Sequence, residues 1–129
     1  MPYIYPSAAL LHGKPKVGGG ECVALIRHYT GAPPTKIWHQ GEEVWGNKKI
    51  LPGTAIATFE KGRWPGRAKG NHAAFYLGQI STGIWVVDQW NPDDDKPLIS
   101  RRFIVRREIY DDGTYQKPSD NAFAFSVIK

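Results

Sequence analysis

One thiol, four imidazoles and a carboxylate set inside an apolar strand are the parts of this sequence that could do chemistry. Cys22 is the only cysteine, so an intrachain disulfide is excluded, and no cluster of Cys and His has the short spacing of a structural zinc site. It follows Gly18-Gly19-Gly20-Glu21 and opens the apolar helical pattern Val23-Ala24-Leu25-Ile26. A thiol there faces unpaired backbone N–H groups and the positive end of the helix dipole. Both favour the thiolate, the form that attacks a carbonyl carbon. The competing reading of Cys22 is a small buried hydrophobe.

A cysteine nucleophile needs an imidazole to take its proton, and that imidazole needs a polar group to hold its tautomer and balance its charge. His72 opens a strand pattern, His72 to Gly78, and Asp88 sits within a second, Ile84 to Trp90, with Ser81-Thr82-Gly83 in the loop between. Centring this hairpin on Ile80 puts His72 directly opposite Asp88, about 5 Å apart at Cβ. An acid inside an apolar, aromatic strand is costly unless something pairs with it, which supports Asp88 as the orienter. A register slip of one would bring Gln89 to the His72 face, and a neutral amide can also orient an imidazole. Gln89 is therefore the alternative orienter.

The other histidines lack such partners. His28 is expected near the end of the first helix, His12 in a flexible lead and His39 on the exposed side of a second helix. None has the spacing of a zinc hydrolase motif, so no metal is expected. Asp93-Asp94-Asp95 lacks the alternating ligands and glycine of a calcium loop and reads as a solvated turn. Lys14 is followed by proline and no strand precedes it, which argues against a phosphate loop.

The elements that must position these residues follow from the pattern. The run His12 to Gly20 is basic, rich in glycine and read as a flexible lead. Cys22, Leu25, Ile26 and Tyr29 share one helical face, and Gly31 with Pro33-Pro34 stops that helix. Thr35 is expected to cap a second helix reaching about Glu43. Gly53 to Phe59 reads as a buried strand, followed by the basic loop Lys61 to Gly70, the hairpin, and strands at Arg101–Arg106 and Ala122–Ile128, with Asp111-Asp112-Gly113 as turn.

At 129 residues the chain suits one domain, 1–129, with 41% hydrophobic and 22% charged residues marking it as globular. A net charge of +5 favours anionic polymers without choosing among them. Nucleic acid ranks last, because the cations are scattered and the aromatics fall on core-facing strand positions. No apolar run is long enough to span a membrane, and Met1 to Pro6 carries no secretory signal pattern.

Gly20 to Ile26, Gly53 to Phe59, Asn71 to Gly78 and Val87 to Asn91, in that order, resemble the NlpC-type and CHAP-type cysteine hydrolases, and in particular bacterial proteins related to type VI secretion amidase effectors. The resemblance covers about residues 18–91. It implies an α+β, papain-like fold with N-terminal helices packed on an antiparallel β-sheet. It also implies a cysteine amidase or endopeptidase acting on peptidoglycan stem peptides, with Cys22 as nucleophile, His72 as base and Asp88 as orienter. Arg63, Trp64 and Trp90 are then expected to meet the stem peptide. No cofactor is implied, since side chains and water suffice. Such proteins are made in the bacterial cytoplasm without an N-terminal signal, exported by a specialised route to a target cell's periplasm, and neutralised by an immunity protein. Two readings compete: a papain-like transferase or deamidase acting on a protein, and a non-catalytic wall-binding or polyanion-binding module.

Overall fold

Between two glycine-containing turns, Cys22–Thr30 forms the α-helix α1. The stretch holds neither glycine nor proline, and Gly31 ends it in the left-handed conformation (φ 71°), its N–H donating to the Arg27 carbonyl. In the computed structural model, which describes residues 2–67, 69–91 and 97–129, α1 packs on a six-stranded antiparallel sheet. The strands are β1 (Gln40–Glu43), β2 (Ala55–Thr58), β3 (Ala73–Ile80), β4 (Gly83–Asp88), β5 (Ser100–Val105) and β6 (Phe125–Ile128). Their order across the sheet is β1-β6-β2-β3-β4-β5.

Both faces of the sheet are covered. One carries Ala55, Ala57, Ala73, Phe75 and Val87 against Leu25 and Ile26 of α1, with Ala8, Leu11 and Trp38 completing the cluster. The other carries Ile56, Ala74, Tyr76, Ile84, Val86, Ile104 and Phe125, closed by Val44 and Ala122. A strand buried on both faces needs no polar alternation, which is why β2 reads as a continuous apolar run.

The expected second helix is not formed. Only Thr35–Ile37 makes a 3-10 turn, and Gln40–Glu43 is strand β1. β6 already pairs with β2 on one side, so its other row of backbone groups needs a partner, which Gln40 and Glu43 supply opposite Ile128 and Ser126. Helix propensity loses to that pairing, and Gly41 weakens the helix further. The fold thus has one α-helix rather than several among the described residues, and His39 is exposed in an extended segment paired with Lys129.

The glycine-rich lead is likewise not a free tether. Gly13 N–H donates to the Ile99 carbonyl, and Ile99 N–H donates to that of Lys14. His12 Nδ1 accepts from Arg101 N–H at 2.8 Å. The Asp93–Asp95 run lies outside the described residues.

Candidate active site

The site is assembled where α1 begins and where β3 and β4 meet. The β3–β4 connection is a two-residue loop, Ser81-Thr82, with Ile80 paired to Gly83. Continued without interruption, that register would set His72 opposite Asn91 and Asp88 opposite Phe75, on different faces of the sheet. A bulge at Leu77 intervenes: Tyr76 pairs with Val86, and Gly78 with Trp85. The extra residue returns His72 and Asp88 to one face, offset diagonally by two positions. The expectation of direct opposition is corrected, but the partnership holds. His72 Nε2–H donates to Asp88 Oδ2 at 2.7 Å, with both side chains buried.

Because an ionised carboxylate only accepts, Nε2 is the protonated nitrogen and Nδ1 is left for Cys22, with which His72 also hydrogen-bonds. Burial drives the His72 pKa down. The hydrogen bond to Asp88, the one to Cys22 and the attraction of both groups outweigh it, raising His72 from 6.5 to about 9. At neutral pH the imidazole is a cation held between two acceptors. Cys22 is half-buried at the first position of α1, next to the helix's unpaired N–H groups.

Arg102, on β5, belongs to the site and was not singled out by its sequence motif. Its Nε donates to the same Asp88 Oδ2 at 2.6 Å, and its Nη1 to Asp120 Oδ1 at 3.1 Å, while its guanidinium lies 4.9 Å from the Trp90 ring centre. Asp120 is held in turn by Arg107 Nη2 at 2.9 Å. The only available signal was alternation: Arg102 lies in a strand pattern on the inward face beside Ile104. Asp88 Oδ1 is buried and has no protein partner among the described residues.

Gln89 does not orient the imidazole. It points to the other side of β4 and is 1% exposed. Its Nε2 donates to the carbonyls of Val17 (3.0 Å) and Glu21 (2.8 Å), and its Oε1 accepts from Val17 N–H at 3.0 Å. A whole amide is committed to the backbone that leads into Cys22.

The glycine run makes that close approach feasible. Gly20 has φ 89°, and a Cβ there would lie 2.6 Å from the Asn91 side chain. Gly20→Ala is therefore expected to cost about 1–3 kcal/mol of stability. Turnover should fall with it, because Asn91 must give way and release the Gly19 carbonyl it donates to. Thermal melts and turnover of this one variant check both.

The expected substrate contacts are dispersed. Trp90 borders a cleft of about 520 Å³ together with His72, Lys69, Asn71, Arg102 and Asp120. Trp64 packs edge-on against Trp38, ring centres 5.4 Å apart, and Arg63 reaches the Lys36 carbonyl at 3.5 Å. Neither lines the cleft. The basic loop is partly self-bound: Arg67 pairs with Glu60 and donates to the carbonyls of Lys69 and Gly70. Among the described residues no group of three His, Cys, Asp or Glu is placed to hold a metal ion, and no helix is long and apolar enough to cross a membrane.

Comparison with known proteins bears on the fold and the class of activity. A family model described as domesticated amidase effector 2 matches residues 6–128. The type VI secretion amidase effector 2 protein of Salmonella typhi is 47% identical over 133 residues, spanning 100% of both chains. Domesticated amidase effector 2 of Ixodes scapularis is 42% identical over 113 residues, 84% of this chain and 70% of that one. A solved structure of type 6 secretion amidase effector 2 matches with a TM-score of 0.93 at 46% identity, covering 98% of this chain and 94% of that chain. The α+β, papain-like fold and the amidase class implied by the residues around Cys22 and His72 therefore hold, and the chain belongs to the domesticated amidase effector 2 family.

Proposed function

We propose that residues 1–129 form one catalytic unit that hydrolyses amide bonds in peptidoglycan stem peptides, with Cys22 as nucleophile, His72 as acid and base, and Asp88 as orienter. The observation that carries this is the buried His72 Nε2–Asp88 Oδ2 hydrogen bond at 2.7 Å, with Cys22 on the imidazole's other side, in a chain 47% identical to an amidase effector over its whole length. The Cys22 thiolate adds to the scissile carbonyl, and N–H groups at the start of α1 receive the developing oxyanion. His72, holding a proton, gives it to the leaving amine. It then takes one from the water that cleaves the thioester, so Cys22 and the imidazolium are restored.

The cleft bordered by Trp90, Lys69 and Arg102 lies against His72 and is the place for the part of the peptide that carries the leaving amine. Arg63 and Trp64, on the same loop as Lys69, would meet substrate farther out. Among the described residues, four of the chain's 17 Lys and Arg side chains pair with carboxylates: Arg67 with Glu60, Arg102 and Arg107 with Asp120, and Lys129 with Glu42. The amidase class of the relatives supports a peptide substrate over nucleic acid. Relatives named as a bacterial secretion effector and as an animal protein share the amidase name, so chemistry and delivery separate. The full-length match to the Salmonella typhi protein supports synthesis in a bacterial cytoplasm, delivery by type VI secretion to the periplasm of a target cell, and an immunity protein as partner.

Incubation with purified sacculi is expected to release new primary amines without new reducing sugar ends. Reducing ends alone, or no amines, would overturn the reading. The kcat/KM profile should decline on its alkaline side around pH 9, where His72 loses the proton it must donate.

A further inference from the structure

The end of β4 and the residues that follow it, 88 to 91, act on both partners of the reaction at once. Successive side chains of an extended segment point to opposite sides. Asp88 and Trp90 face His72: the carboxylate bonds its Nε2, and the indole meets the imidazole edge-on with ring centres 6.2 Å apart. Gln89 and Asn91 face the other way, onto the loop before Cys22. Gln89 bridges Val17 and Glu21 with three hydrogen bonds, Asn91 Nδ2 donates to the Gly19 carbonyl, and Lys16 Nζ donates to the Trp90 carbonyl at 2.7 Å. The loop those bonds hold contains Gly18 and Gly20 in left-handed conformations. It has little preference of its own for one shape.

We propose that Gln89 and Asn91 are positioning residues that fix the glycine loop, and through it set Cys22 at hydrogen-bonding range of His72. Base and nucleophile are then referenced to one strand end, which no separate motif in the sequence announces. The inference rests on the reading of Cys22 and His72 as a reacting pair. Neither Gln89 nor Asn91 touches the imidazole in this arrangement; they act through the backbone at Val17, Gly19 and Glu21. Gln89→Glu keeps the shape but replaces Nε2, which donates both N–H bonds, with a carboxylate oxygen facing the carbonyls of Val17 and Glu21. It should loosen the loop as effectively as Gln89→Leu.

The test is the rate of Cys22 alkylation by iodoacetamide from pH 5 to 10, in the wild type and in Gln89→Glu, Gln89→Leu and Asn91→Ala. Thermal melts accompany it, with kcat and KM on soluble stem-peptide fragments. In either Gln89 variant the rate at pH 7 should drop, and the profile should move toward that of a free thiol titrating near about 8.5. kcat should fall about 10²-fold with KM little changed, as expected when reacting groups are displaced by about 1 Å. Asn91→Ala should shift the profile in the same direction to a smaller extent. A purely structural role would lower the melting temperature and leave the pH profile in place. Folded Gln89 variants with the wild-type profile and kcat would overturn the proposal. If both Gln89 variants fail to fold, Asn91 decides: its exposed side chain can be lost without opening the core, and a wild-type profile in Asn91→Ala overturns the proposal equally. Failure of the underlying reading shows separately, as a wild-type Cys22 that already alkylates like a free thiol.

Discussion

Cys22→Ala should abolish amine release from sacculi, with a loss on the order of 10⁴-fold or more, while the protein stays folded. The substitution removes one sulfur from a half-buried position and leaves α1 intact, because Leu25 and Ile26, not Cys22, carry the buried contacts of the helix. It also has a signature that activity cannot mimic. The hydrogen bond and charge of Cys22 help hold the His72 proton. Their loss should bring the His72 pKa down from about 9, as read by NMR titration of the ring protons. Retained hydrolysis would remove Cys22 from the mechanism, and an unmoved His72 titration would remove the contact between them.

Asp88→Asn is the second large effect. Asp88 is fully buried and neutralises two cations, the protonated His72 and Arg102, through one oxygen. A neutral amide leaves both facing a group without charge. Breaking such a buried arrangement costs about 3 kcal/mol or more. Activity should fall about 10²- to 10⁴-fold, because the imidazole loses the group that fixes its tautomer and its positive charge. The pH dependence of stability has a definite sign. His72 binds its proton more tightly folded (about 9) than unfolded (6.5). Its contribution is therefore complete below pH 6.5 and disappears as pH rises through 9. Wild-type melting temperature should decline across that window, and in Asp88→Asn the decline should flatten. An unchanged slope would show that Asp88 does not hold the proton.

The partnership of His72 with Asp88 was legible because it rests on parity, and parity is forgiving of even errors. The tight turn at Ser81-Thr82 and the bulge at Leu77 each displace the register from the expected centre, and together they move it by two. Either one alone would have put the two side chains on opposite faces. Nothing in Leu77-Gly78 announces a bulge, so that cancellation could not be read from the chain. Gln89 shows the same limit from the other side: expected as the alternative orienter, it faces away from His72, and its three backbone partners lie some seventy residues away in a segment without periodicity. Thr35–Glu43 failed for a related reason. Local pattern favoured a helix, and the vacant side of β6 decided for strand β1, a long-range demand that no local window contains. The helix α1, the strand β2 and the hairpin were legible because their apolar patterns, periodic or continuous, are local.

The position of β6 also makes the site depend on a pairing distant in sequence. Phe125–Ile128 sits between β1 and β2, and the Phe125 ring meets that of His72 edge-on, centres 6.4 Å apart. A chain folded only as far as α1, β3 and β4 already carries Cys22, His72 and Asp88. It still lacks the strand that joins two parts of its sheet and walls the base. The sheet, and with it the wall beside His72, is therefore complete only once Phe125–Ile128 has inserted between β1 and β2, a long-range pairing that local structure cannot supply.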